Sequence, residues 1–207
     1  EVAAGAEFTL GFLLGERGDS DGERAAYGAA IADGRAAGTP DGLVQAAKAG
    51  VNLGDLLHKH GDYQGAQAAS EAAISDGRAA GTPDGLVQAS KAGSNLGNFL
   101  SERGYLDTAA AAYEAAIADG RSAGTPEGLA RAAVAGINLG VLLGERSDPD
   151  DTRAADDARA AYEAALADGH AAGTLDGREA VDRAERALAL LDALDSTPGP
   201  APLSPPA

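Results

Sequence analysis

His58-Lys59-His60 is the one place in the chain where two imidazoles fall close together. Two positions apart on a helix, their rings point about 200° from one another, so they do not share a metal ion. Asp19-Ser20-Asp21-Gly22 and Asp148-Pro149-Asp150-Asp151 have the acid density of calcium loops. Both lack the twelve-residue ligand order with its closing glutamate, and they read as turns and helix N-caps. The chain has no cysteine, hence no thiolate nucleophile, disulfide or Cys-based zinc site. There is no Gly-Lys-Ser phosphate loop and no Gly-x-Ser-x-Gly nucleophile elbow. No catalytic residue, metal ligand or cofactor contact is assigned, and the expectation is a protein that is not an enzyme. The chemistry that is spaced regularly is that of the carboxamide. Asn52, Asn95 and Asn138 stand 43 residues apart. Each amide both donates and accepts hydrogen bonds, which is what matching an extended peptide backbone requires.

The elements that hold these amides repeat with them. Asn52-Leu53-Gly54 returns as Asn95-Leu96-Gly97 and Asn138-Leu139-Gly140, with Thr9-Leu10-Gly11 one period earlier. Gly-Thr-Pro stands at 38–40, 81–83 and 124–126, and weakened as Gly173-Thr174-Leu175, 49 residues on. The six extra residues fit a loop insertion around Ser147–Asp151. A period of this length is the mark of a stacked array. Within a period, Leu43, Val44, Ala46, Ala47, Val51, Leu53 and Leu57 recur at helical spacing, Gly61-Asp62 breaks the chain, and Ala66, Ala69, Ala72, Ala73 and Ile74 form a second helical run. Gly81 reads as the residue after a helix end, Thr82 as the next N-cap and Pro83 as the first helical position. Gly50, Gly54 and Gly77 lie inside the helical runs, where each costs about 1 kcal/mol. Their recurrence in register predicts close helix–helix approach. The helices expected are 2–17 with 21–37, 40–60 with 62–80, 83–103 with 105–123, 126–146 with 150–172, and a last one over 176–194. The last carries an apolar stripe, Val181, Ala184, Leu188 and Leu191, and a charged face, Arg178, Glu179, Arg183, Glu185 and Arg186. That is the composition of a cap on a stack.

These residues resemble the tetratricopeptide repeat. The third period gives Leu96, Gly97 and Leu100 in its first helix, Gly104 at the turn, and Ala109, Tyr113 and Ala116 in its second. The fourth gives Leu139, Gly140, Leu143, Ala158, Tyr162 and Ala165. The second gives Leu53, Gly54, Leu57, Gly61, Ala66 and Ala73, with Ser70 in place of the aromatic. The first gives Leu10, Gly11, Leu14, Gly18, Tyr27 and Ala30, with Glu23 in place of a small residue. The likeness covers residues 4–172. The period is 43 instead of the family's 34, which makes the first helix of each pair about two turns longer. The resemblance implies an all-α, right-handed α-solenoid of about four antiparallel helix pairs plus a C-terminal capping helix. The solenoid is expected over 1–195, with repeats near 1–38, 39–81, 82–124 and 125–173, and a disordered Pro-rich tail over 196–207. It further implies a concave groove lined by the first helices. Some members bind an extended peptide there through an asparagine ladder, carried over here to Asn52, Asn95 and Asn138, with Thr9 as a departure.

Comparing the repeats with one another points to the same wall. Most positions recur almost verbatim, but four registers change: Gly5, Lys48, Lys91 and Val134; Phe8, Val51, Ser94 and Ile137; Phe12, Asp55, Asn98 and Val141; Gly15, His58, Ser101 and Gly144. Their offsets of 3, 4 and 3 describe one helical face beside the asparagines. The expected site is therefore a peptide-binding groove of Phe8, Thr9, Phe12, Lys48, Val51, Asn52, Asp55, His58, Lys91, Ser94, Asn95, Asn98, Ser101, Val134, Ile137, Asn138 and Val141. The expected partner is a protein or peptide segment. The alternative is a self-associating structural or regulatory module, a homo-oligomer joined through the same face. Asp33, Asp76, Asp119 and Asp168 recur late in each second helix, where an acid opposes the helix dipole. A local pairing with Arg35, Arg78 and Arg121 is expected to offset this. His170 takes the arginine's place in the fourth repeat and is expected at the surface.

The bulk composition excludes other classes. Net charge is −16, which disfavours nucleic acid and anionic membrane, since both need clustered cations. No window approaches the ~18 consecutive apolar residues of a transmembrane helix, and no basic-then-apolar signal peptide is visible at the start. The expected compartment is the cytoplasm. Hydrophobic residues make up 44% of the chain but aromatic ones only 4%, so the core is built from small side chains at close contacts. Three lysines against many arginines, with abundant Ala, Gly and Asp, fit a GC-rich bacterial genome.

Overall fold

The computed structural model describes residues 2–145 and 152–195. The acidic insertion and the Pro-rich tail predicted from sequence lie outside them. The described residues form α1 (Val2–Glu16), α2 (Ser20–Ala37), α3 (Pro40–Lys59), α4 (Tyr63–Ala80), α5 (Pro83–Glu102), α6 (Leu106–Ser122), α7 (Pro126–Glu145), α8 (Thr152–Ala172) and α9 (Leu175–Asp195). This is an all-α solenoid: four antiparallel helix pairs in a row, with α9 packed on α7 and α8. The first helices of successive pairs, α1, α3, α5, α7 and α9, touch one another in order. The second helices stand further apart and meet mainly through long side chains. The row of first helices is thus the tighter, inner wall.

Local chemistry sets each boundary. Thr39, Thr82, Thr125 and Thr174 accept the N–H of Gly42, Gly85, Gly128 and Gly177 on their hydroxyls at 3.0–3.1 Å, which satisfies a donor that the helix start leaves over. Asp19 and Asp62 cap α2 and α4 in the same way, through Gly22 and Gly65. Gly81 closes α4 with φ 65°, a left-handed conformation that a side chain would strain.

The glycines inside the helices mark where backbones cross. A Cβ on Gly77 would stand 2.5 Å from the Gly85 carbonyl oxygen, and one on Gly85 2.3 Å from that of Gly77. The same reciprocal approach joins Gly34 to Gly42, Gly120 to Gly128 and Gly169 to Gly177. Each second helix therefore crosses the next first helix at a point that admits no side chain. Within a pair, Tyr27, Tyr113 and Tyr162 lie across Gly11, Gly97 and Gly140. The second repeat has Ser70 there, its hydroxyl donating to the Ala66 carbonyl. Phe99, where the neighbouring repeats carry Leu56 and Leu142, packs with Leu57 and Ala66.

The aspartate–arginine pairing differs from expectation. Arg35 binds Asp76, Arg78 binds Asp119 and Arg121 binds Asp168, each with an N···O distance of 2.8 Å. The ties run from one second helix to the next, not within a helix. Two positions apart, Asp and Arg point to different sides of their own helix, while the guanidinium spans the gap to the neighbour and grips the carboxylate through two nitrogens. Asp33 has no preceding partner and is exposed. Helix α7 is long and apolar enough by length and composition to cross a membrane. Many of its apolar residues are buried in the stack, Ala132, Ala133, Ala135, Ile137, Leu139 and Leu142 among them.

Candidate functional site

The inner wall is a helix face seen edge-on, and its registers divide by depth. Val51, Ser94 and Ile137 are buried. Val51 packs against Ala73 and Ala92, and Ile137 against Ala133, Tyr162 and Ala180. These three belong to the core and leave the predicted groove. Phe8 is half-buried against Tyr27. Lys48, Lys91 and Val134, then Asn52, Asn95 and Asn138, then Asp55, Asn98 and Val141, keep partly or fully exposed side chains on one side. Phe12 is exposed to 55% and Val141 to 44%.

The asparagines point the same way, and they bond sideways. Asn95 Nδ2 donates to Asp55 Oδ1 at 2.6 Å, and Asn138 Nδ2 donates to Asn98 Oδ1 at 3.2 Å. In each case the acceptor belongs to the preceding repeat, one turn along its helix. Asn52 would meet Phe12 in that register, which cannot accept. It donates instead to the Tyr27 hydroxyl at 3.3 Å. Thr9 bonds its own helix at the Gly5 carbonyl. The ladder ties repeat to repeat while, among the described residues, each amide keeps a carbonyl and one N–H without a hydrogen-bond partner.

The wall contains groups that the repeat comparison missed. The tyrosines of the second helices pass over the glycines of the first and bring their hydroxyls through to the inner side. Tyr113 donates to Asn98 Oδ1 at 2.7 Å. Burial, with the Glu102 and Glu145 charges beside it, pushes the Tyr113 hydroxyl up to about 12. Tyr27 and Tyr162 are also raised, chiefly by burial. Asp55 is raised by burial, against the pull of Lys91, Lys59 and His58. The glycine at each Leu-Gly step was the available signal, since it marks where something large must pass.

All three lysines of the chain, Lys48, Lys59 and Lys91, stand on α3 and α5, and none is held in an ion pair among the described residues. His58 is occupied: it stacks on Phe99 at 4.3 Å between ring centres and bonds Glu102 at 2.8 Å. Two open cavities face the wall. One of about 400 Å3 lies between Phe12, Tyr27, Asn52, Asp55 and Lys59. The other, about 230 Å3, lies between Asn98, Ser101, Tyr113, Asn138, Glu145 and Arg183. Each is bounded by a rung of the asparagine ladder.

No family model matches the sequence, and no curated protein matches it. Solved structures do match the fold. The apo form of RapI superposes with a TM-score of 0.66 at 11% identity, over 91% of this chain and 48% of that one. BtubC (BKLC) from P. vanneervenii superposes with a TM-score of 0.58 at 19% identity, over 94% of this chain and 82% of that one. The chain thus spans about half the length of RapI. Sequence identities this low carry the architecture alone, and they establish the chain as an all-helical repeat protein.

Proposed function

We propose that this chain is a tetratricopeptide-type protein of long period, and that its inner wall binds a protein or peptide segment. The observation that carries the reading is the pair of cavities on one wall, each beside an asparagine whose amide retains unused donor and acceptor capacity. Around them the side chains change charge and size from repeat to repeat, Lys48 and Lys91 giving way to Val134, and Asp55 to Asn98 and Val141. An amide row supplies backbone matching, and changing neighbours supply specificity. The wall is read as a binding surface with no reaction assigned to it. Self-association is the second reading, favoured by the exposure of Phe12 and Val141.

The test is comparative capture. Immobilised wild-type chain, a Lys48→Glu/Lys91→Glu variant and an outer-surface control, Glu114→Lys, are exposed to the same native extract. A partner held by wild type and control and lost from the double variant supports the wall. A partner held equally by all three refutes it. Light scattering of the purified chain addresses the second reading: a dimer that falls apart on Phe12→Glu and Val141→Glu places self-association first.

A further inference from the structure

The two ends of the stack differ in chemistry. On α1, Ala3, Ala6, Leu10 and Leu13 form one stripe, and all four are exposed, Leu10 to 44% and Leu13 to 50%. One period on, the same stripe is Ala46, Ala49, Leu53 and Leu56, then Ala89, Ala92, Leu96 and Phe99, then Ala132, Ala135, Leu139 and Leu142. There it is closed over by the preceding helix pair, and the alanines are fully buried. On α2, Asp33 stands at the register of Asp76, Asp119 and Asp168. Each of those receives an arginine from the preceding second helix, and among the described residues Asp33 receives none. The outer face of α9 is the opposite: where α7 carries Ala133, Gly136 and Ile137 toward its partner helix, α9 has the exposed charges Asp182, Glu185 and Arg186. A stack is closed by a polar outer face. The α9 end has one and the α1 end does not.

We infer that the α1 edge is a docking surface for one further helix pair of the 43-residue kind, stacked in register, with an arginine at the position of Arg35 that binds Asp33. The stripe matches the three internal interfaces position by position, and Asp33 supplies the charge that the occupant's arginine complements. A second copy of this chain fits poorly. Joined α1 edge to α1 edge it brings no arginine to Asp33 at that register, and among the described residues no second helix follows α9 to carry one. The inference concerns a different surface from the inner wall and stands or falls apart from it.

The test extends the full chain. Residues 39–87 are joined ahead of Val2, which preserves the 43-residue spacing and sets the added Arg78 41 positions before Asp33. The expected results are a single melting transition at higher temperature and α1 amide exchange slowed about tenfold or more. Arg78→Ala in the added segment, or Asp33→Ala, should return part of that protection. Overturning results are an added segment that melts separately, α1 exchange as fast as in the original chain, or no response to either Ala variant. A dimer of the original chain that dissociates on Leu10→Glu/Leu13→Glu also overturns it, because a second copy would then hold the edge.

Discussion

Ser90 carries a fully buried hydroxyl with no hydrogen-bond partner, at a register where the neighbouring repeats have Ala47 and Ala133. An unpaired buried hydroxyl destabilises the folded state, so Ser90→Ala should raise stability by about 1 kcal/mol. That corresponds to about 2–4 °C in melting temperature, read by calorimetry. Gly97→Ala should act in the other direction. Its new Cβ would stand 2.4 Å from the Tyr113 ring, and forcing a methyl into so close a contact costs about 1–3 kcal/mol. Tyr113→Ala in the same chain should recover part of the clash while losing the ring's own packing. Titration has a defined sign here. The ordinary tyrosine value is 10.0 and Tyr113 is held near 12, so the folded state keeps a proton that the unfolded chain releases. The stability linked to this group is complete below pH 10 and is lost as pH rises toward 12. Tyr27 and Tyr162 shift the same way and reinforce it. Melting temperature should fall across that window, and ultraviolet absorbance should show late-ionising tyrosines. A chain that melts at the same temperature at pH 9 and pH 11.5 would contradict this. For Asp55 the raised value means that its ionised form is disfavoured in the folded state. Asp55→Asn, which copies Asn98, should therefore stabilise the chain slightly at neutral pH, with the advantage shrinking as pH falls through the folded value toward 3.8.

At the scale of elements, the guanidinium–carboxylate ties hold the outer helices in register where their backbones do not meet. Asp119 is 12% exposed at its side chain and Arg78 48%. Removing the arginine strands a mostly buried carboxylate, whereas neutralising the acid leaves an arginine that reaches water. Arg78→Ala should therefore cost more than Asp119→Asn, about 1–2 kcal/mol against less than about 1, since the half-exposed arginine lies between the surface and buried limits. Urea unfolding of the two variants decides the order. The helices themselves were legible from sequence to within a residue or two, because period, caps and breaking glycines all point to the same boundaries. The partner of each aspartate was not. Helical geometry places Asp76 and Arg78 on different sides of α4, but which neighbouring helix Arg78 reaches depends on stacking. The inner face was legible in part. Four varying registers share one helical face, yet a helix wedged between two neighbours buries half of that face. Val51, Ser94 and Ile137 fell on the buried half, and the asparagines and lysines on the open one. The tyrosine hydroxyls were missed because they reach the wall from the other helix of each pair.

At the scale of the molecule, a chain of net charge −16 gathers its three lysines on two adjacent inner helices. For the proposed partner, these lysines would attract carboxylates, an attraction that salt weakens over about 8–10 Å. Binding should accordingly lose strength between low and high ionic strength, and lose that sensitivity when Lys48 and Lys91 are replaced by Gln. The most direct measurement is amide chemical-shift mapping of the isotope-labelled chain while its captured partner is added. The account predicts that the perturbed amides cluster on the inner faces of α3, α5 and α7, around Lys48, Asn52, Lys91, Asn95 and Asn138. Perturbations confined to the outer helices α4 and α6 would contradict it.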